Sequence, residues 1–238
     1  MRYRQIFTQV ATVEWAIAGA VAFVLLSLLA FVVVRYRAGR QVSPSRNANA
    51  TRLELGYLGV MVLFGIGLYV WQIGRNGAER HWQGAPAVTV DVIGFRWCWR
   101  FHYPGAGVVS TGTCAGAVPR RPTLPAAHTL PVLEVPAHEL VRFNVTSVDV
   151  IHGFWIPTID FKMYAYPEHV NAFEARFDHL GTSTGRCAVY CGLDHFQMDY
   201  LLRVVSPGVY HHWLAAHRGV TFAGAHPLDV ASARRAAA

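Results

Sequence analysis

Between Arg186 and Met198 the chain reads RCAVYCGLDHFQM, so two cysteines, a histidine and a methionine fall within thirteen residues. Cys187 and Cys191 are four apart, His195 follows four later and Met198 three after that, with Gly192 giving the backbone room to turn tightly. One Cys, then His, then Met on the last loop of a β-sandwich, with a second His from an earlier loop, is the ligand set of a mononuclear blue-copper site. Here there are two thiols where that site has one, and two thiolates can bridge two copper ions while sharing their charge. An earlier histidine is available in TSVDVIHGFWIP, where His152 is expected in the connection between a strand ending near Ser147 and Pro157. Ligands are commonly presented on such connections.

Other uses of these residues compete with copper. A Cys187–Cys191 disulfide suits an exported compartment but gives Gly192, His195 and Met198 nothing to do. Zinc would take Cys and His, yet thioether is a poor zinc ligand and Cys-x3-Cys-x3-His is not a usual finger spacing. Coincidental core residues are the third alternative. Copper accounts for the largest part of the set. Cys98 and Cys114 could pair with each other in an oxidising compartment or could equally be free.

A site of this kind needs a rigid support, and the sequence from Val88 onward reads as strands. VTVDVIGFRWCWRFHYP alternates in its second half, with Phe95, Trp97, Trp99, Phe101 and Tyr103 on one side and Arg96, Cys98, Arg100 and His102 on the other. Period two over that length predicts one strand. Residues 105–125, rich in Gly, Pro, Ser and Thr, predict a loop. Further strands are expected at 130–136, 139–147, 170–178 and 198–205, a closing helix at 209–218, and a frayed tail beyond. Several short strands separated by turn residues indicate an all-β sandwich or barrel.

The first third of the chain is different. Trp15 to Val34 is twenty residues without a charge, and Leu55 to Ile73 is a second apolar run. At 1.5 Å per residue each approaches the ~30 Å hydrocarbon core of a bilayer. Aromatics stand near the ends of both runs, as membrane interfaces favour. The segment between them carries Arg35, Arg37, Arg40, Arg46 and Arg52 against Glu54. Arginine excess in a short loop marks the cytoplasmic side, so a helical hairpin with both termini outside is expected. Residues 1–73 hold seven arginines and two glutamates, leaving fourteen basic and twelve acidic groups in residues 74–238. The net charge of +7 is therefore mostly a topology signal and gives no reason to expect nucleic acid.

Two amino-terminal spans, the aromatic run GFRWCWRFHY, the SxDVxHxFxxP stretch around His152 and the CxxxCGxxHxxM loop, in this order, resemble subunit 2 of haem-copper cytochrome c oxidases. The resemblance covers about residues 10–218. It implies a two-helix transmembrane hairpin (residues 1–74, spans about 15–34 and 55–73), an exported all-β cupredoxin Greek-key sandwich (75–218) and a flexible tail (219–238). It implies a dinuclear copper A centre of two copper ions that accepts electrons from a c-type cytochrome and passes them to haem in subunit 1, where oxygen is reduced. Carried over by position, Cys187 and Cys191 would bridge the coppers, His152 and Met198 would complete one, and His195 with the Val189 carbonyl the other. Trp97 matches the tryptophan through which electrons enter, although without the resemblance it would read as a strand aromatic. Glu54 matches a glutamate associated with proton uptake, and reads equally as a solvated flank beside Arg52. The implied setting is the plasma or inner membrane, among subunit 1 and other oxidase subunits, with the copper domain on the outer or periplasmic side.

Departures from the family pattern matter too. The residue between the bridging cysteines is usually Glu, which also reaches a magnesium ion; here it is Val189, so magnesium binding is in question. Val148 and Tyr164 occupy places that often carry acids, and Cys98 stands where Tyr is usual. The alternatives are the copper A subunit of a nitric oxide reductase, a quinol-oxidase subunit and a membrane-anchored copper store. The complete ligand set argues against the quinol oxidase. No CxxCH motif occurs, so no attached haem c is expected.

Overall fold

The computed structural model describes residues 2–37, 50–80, 84–112 and 130–218. The chain divides into two compact units, Gln5–His81 and a second comprising Trp82–Ala238 with Met1–Arg4. The arginine-rich stretch 38–49, Cys114, and the tail from 219 lie outside the described residues.

The helical unit consists of α1, Arg2–Arg35, and α2, Thr51–Arg80. Both outrun the apolar runs that predicted them, because a helix extends past its lipid-facing stretch until a breaker stops it. The apolar windows of both helices are 0% buried, with Phe23, Leu26 and Leu63 among the exposed side chains. A soluble core helix would bury that face, so lipid is the solvent these surfaces suit.

The other unit is a sandwich of two five-stranded sheets and a closing helix. One sheet holds β1 (Val88–Phe95), β2 (Cys98–Tyr103), β3 (Val108–Thr111), β5 (Leu140–Ser147) and β8 (Asn171–Arg176), in the order β3-β2-β1-β5-β8. The other holds β4 (Val132–Pro136), β6 (His152–Ile156), β7 (Phe161–Ala165), β9 (Gly181–Cys187) and β10 (Asp199–Val205), in the order β4-β10-β9-β6-β7. β1 pairs in parallel with β5, and β4 with β10; the remaining strand pairs are antiparallel. Helix α3, Pro207–Ala216, follows β10.

Three expectations change. The single strand expected over residues 88–104 is a hairpin whose two-residue turn is Arg96-Trp97, with Phe95 paired to Cys98. Trp99, Phe101 and Tyr103 stay in the core, and Trp97 leaves their row to sit half-buried. A period-two pattern continues in phase across a two-residue turn, which hid the break. The expected 105–125 loop contains β3, whose valines were masked by neighbouring Gly and Thr. His152 is not in a connection: it is the first residue of β6.

The core is aromatic. Phe154 stacks on Tyr200 at 5.0 Å, and Trp99 meets Phe154 edge-on at 5.2 Å. Such packing adds ~0.5–1.5 kcal/mol per pair beyond burial. Tyr200 lies so close over its cross-strand partner Gly185 that any Cβ there would overlap the ring. The polar tips of two buried aromatics are satisfied: Trp99 Nε1 donates to the Met198 carbonyl (3.3 Å), and Tyr103 Oη both donates to the Glu134 carbonyl and accepts from its N–H. Cys98 is buried and disulfide-bonded, which decides one of the two options left open for it.

Candidate metal centre

The β9–β10 hairpin brings the distant members of the RCAVYCGLDHFQM stretch together. Arg186 pairs with Asp199, and Cys187 N–H donates to the Met198 carbonyl (2.9 Å), so the ladder itself sets Cys187 beside Met198. Between them the loop folds back through Gly192 and a 3-10 turn, His195–Gln197. β6 pairs with β9 on the other side, Phe154 opposite Cys187, which places His152 within reach. Ala188 N–H closes onto the Gly153 carbonyl at 2.9 Å. A Cβ on Gly153 would meet Val189, and one on Gly94 would lie 2.9 Å from the His152 ring. Both positions need glycine for close approach.

The donor atoms converge. Cys187 Sγ and Cys191 Sγ are 3.8 Å apart, both buried and free. That is well beyond the ~2.05 Å of a disulfide. His152 Nδ1 is 4.0 Å from Cys187 Sγ, His195 Nδ1 is 3.4 Å from Cys191 Sγ, and Met198 Sδ is 3.8 Å from Cys191 Sγ. The Val189 carbonyl oxygen lies 3.2 Å from Cys187 Sγ. His152, Cys187 and Cys191 offer ligand atoms within 4.8 Å of one another. Two thiols, two imidazoles and a thioether around one small space form a soft donor set, which fits copper.

Electrostatics prepare these groups. Burial, reinforced by the neighbouring Cys187, pushes the Cys191 thiol up to about 12, so in the metal-free chain it keeps its proton and must lose it to bind a metal. Burial also lowers His152, only partly offset by Asp149, which favours the neutral ring. His152 Nε2 donates to Asp149 Oδ1 (2.9 Å), leaving the Nδ1 lone pair toward the sulfurs. Burial would raise the Asp149 carboxyl, but hydrogen bonds from His152 and from the Val150 and Arg96 N–H groups outweigh it and hold the carboxyl down.

The Asp149 contribution was missed by sequence reasoning, although the residue stands in the SxDVxH stretch. A carboxylate three residues before a candidate ligand was the available signal. Asp149 Oδ2 accepts from Arg96 N–H (2.7 Å), so one side chain ties His152 to the turn that carries Trp97. Trp97 Nε1 in turn donates to the Cys191 carbonyl (3.1 Å), and its ring rests on Gly192, whose φ is +124°. The structure thus brings together His152, Cys187, Val189, Cys191, His195, Met198 and Trp97. Glu54 belongs to the helical unit, in the first turn of α2, where a carboxylate complements the helix dipole.

The sequence pattern of "Cytochrome C oxidase subunit II, periplasmic domain" matches residues 88–205. A probable cytochrome c oxidase subunit 2 of Streptomyces coelicolor is 30% identical over 229 residues, covering 84% of this chain and 72% of that protein. The chain belongs to the cytochrome c oxidase subunit 2 family. A second probable subunit 2, from Streptomyces avermitilis, is 29% identical with the same coverage. Among solved structures, the periplasmic domain of subunit II of the Bradyrhizobium japonicum cytochrome oxidase is 27% identical, covering 56% of this chain and 95% of that one, with a TM-score of 0.49.

Membership makes this chain an oxidase subunit with a cupredoxin-like domain, and the family implies a copper A centre where the soft donors converge. Two exposed apolar helices followed by a periplasmic domain make it a membrane protein with the copper domain on the outer side.

Proposed function

We propose that the sandwich accepts electrons one at a time from a c-type cytochrome at a dinuclear copper A centre and passes them to haem in subunit 1 for oxygen reduction. The observation that carries this reading is the pair of free, buried sulfurs 3.8 Å apart with imidazole nitrogens and a thioether closing around them. Cys187, Cys191, His152, His195, Met198 and the Val189 carbonyl would hold the two copper ions, the two thiolates and the thioether supplying soft donors and the imidazoles neutral ones. When bound, the copper pair supplies a one-electron carrier whose charge is shared over two nuclei. The protein supplies rigidity: the β9–β10 ladder fixes Cys187 against Met198, Asp149 fixes the His152 ring, and Gly153 lets the loop close over the cluster. Rigid ligands change little with oxidation state, which favours fast transfer. Trp97 is the electron-entry side chain in this reading, supported by the hydrogen bond its Nε1–H donates to the Cys191 carbonyl.

The organisation that goes with this function is an anchor over residues 1–74, the exported domain over 75–218 and a tail from 219, with both termini outside. The deciding test is electron paramagnetic resonance of the copper-loaded chain together with native mass spectrometry. A seven-line spectrum and two coppers per chain are expected. A four-line spectrum with a single copper would overturn the dinuclear assignment.

A further inference from the structure

The candidate ligands come from one sheet and the loop that joins two of its strands, yet the side chain that ties three of them together comes from the other sheet. Trp99 lies on β2, across the core from β6, β9 and β10, and is fully buried. Its Nε1–H donates to the Met198 carbonyl at 3.3 Å, and the same oxygen accepts the Cys187 N–H at 2.9 Å. A carbonyl oxygen has two lone pairs and accepts both. One atom therefore joins the backbones of two candidate ligands to an indole of the opposite sheet.

The ring reaches a third ligand. It meets the His152 ring edge-on, with centroids 5.9 Å apart and planes at 63°. Both rings close on Gly94, the cross-strand partner of Trp99, where a Cβ would lie 2.9 Å from His152 Cδ2 and 3.2 Å from Trp99 Cζ3. The indole has little room to shift, because Phe154 and Tyr200 pack edge-on against it at 5.2 and 6.2 Å. His152 and Phe154 are two apart on β6 and share its inner face, so the histidine and the ring that wedges Trp99 move together.

We infer that Trp99 is a positioning residue for the metal centre, fixing the Met198 thioether and the His152 imidazole relative to the two sulfurs. The inference rests on the copper reading above and adds a residue to it. Trp99 acts through the Met198 backbone and the His152 ring, and supplies no donor atom of its own. The thioether has most to lose from its removal. Methionine is unbranched with three rotatable bonds, so its sulfur keeps its place only if its backbone does. Groups that orient ligands in this way tune metal affinity without touching the metal.

The test compares Trp99→Phe with Phe101→Leu in the full chain and in the whole purified oxidase, with every readout taken well below the unfolding midpoint of either variant. Phenylalanine keeps an aromatic ring at position 99 and removes the N–H. Phe101 is the next inward residue of β2, equally buried, with Phe154 and Tyr200 as ring partners, so its variant controls for lost packing. Trp99→Phe should lose copper at about one tenth of the chelator concentration that strips the parent, and its thiolate-to-copper absorption bands should shift. In the metal-free chain a maleimide should label Cys187 and Cys191 several times faster than in the parent. Phe101→Leu should change none of the three. Should Trp99→Phe not accumulate, Trp99→benzothienylalanine keeps the bicyclic shape with sulfur in place of the N–H, and the same changes are expected of it. Parent-like chelator resistance and absorption in the Trp99 variant, or equal changes in Phe101→Leu, would overturn the inference and leave Trp99 an ordinary core aromatic. An unsubstituted oxidase that holds no copper would overturn the copper reading and the inference with it.

Discussion

At the scale of single residues, Asp149 links chemistry to scaffold. Its carboxylate takes the proton side of His152 and the backbone N–H of Arg96, and so orients a ligand and the Trp97 turn together. Partners of this type typically change metal affinity by ~10–100-fold when removed. Asp149→Ala is therefore expected to lose copper to a competing chelator at least about tenfold more readily, measured by the chelator concentration at half-removal. Gly192 acts by what it lacks. Its φ of +124° suits glycine, and an added Cβ would lie 3.0 Å from the Trp97 ring. Gly192→Ala should cost about 1–3 kcal/mol in a chemical denaturation curve and slow reduction by the donor, because the indole must move off the loop.

At the scale of elements, β4, β10 and α3 close the end of the sandwich around a buried acid. Glu134 on β4 is fully buried, with Oε2 3.3 Å from Arg203 Nη1 on β10, and its backbone is gripped by Tyr103, which packs on Trp213 of α3 at 5.3 Å. Burial raises the Glu134 carboxyl above its ordinary range, with Arg203 and His217 opposing the shift. A raised carboxyl means that the ionised form weakens folding at neutral pH, and that this cost fades as pH falls through the ordinary carboxylate range. Glu134→Gln should accordingly be more stable than the parent at neutral pH. The gap should close on acidification, as read from denaturant midpoints across that range. Arg203 tolerates the change because its side chain is 43% exposed and can hydrate.

At the scale of the whole molecule, the expectations concern sidedness and protons. Arginines concentrated at 35–52 predict an inside loop and outside termini. Alkaline phosphatase fused after residue 238 should be active in cells, and the same enzyme inserted within 38–49 should be inactive. Glu54, in the first turn of α2, belongs by this topology to the cytoplasmic end of the second span. Glu54→Gln should slow proton uptake and steady-state turnover while leaving the rate of copper reduction unchanged, as resolved by rapid-mixing spectroscopy. Unchanged turnover would leave Glu54 as a helix-dipole partner.

The apolar runs, the strand periodicity of 139–147 and 198–205 and the Cys-x3-Cys-x3-His-x2-Met spacing were legible in one dimension, because each depends on residues near in sequence. Burial of one face imposes a period, and a loop that binds metal must carry its donors a few residues apart. The Arg96-Trp97 turn, the place of His152 on a strand and the tie from Asp149 to Arg96 were not legible, since each depends on pairings between β1, β2, β6 and β9. Local sequence shows which groups are available for chemistry. Their distances are set by ladders joining segments far apart in the chain, so it took the sandwich to bring His152 to within 4.0 Å of Cys187 Sγ and Trp97 onto Cys191.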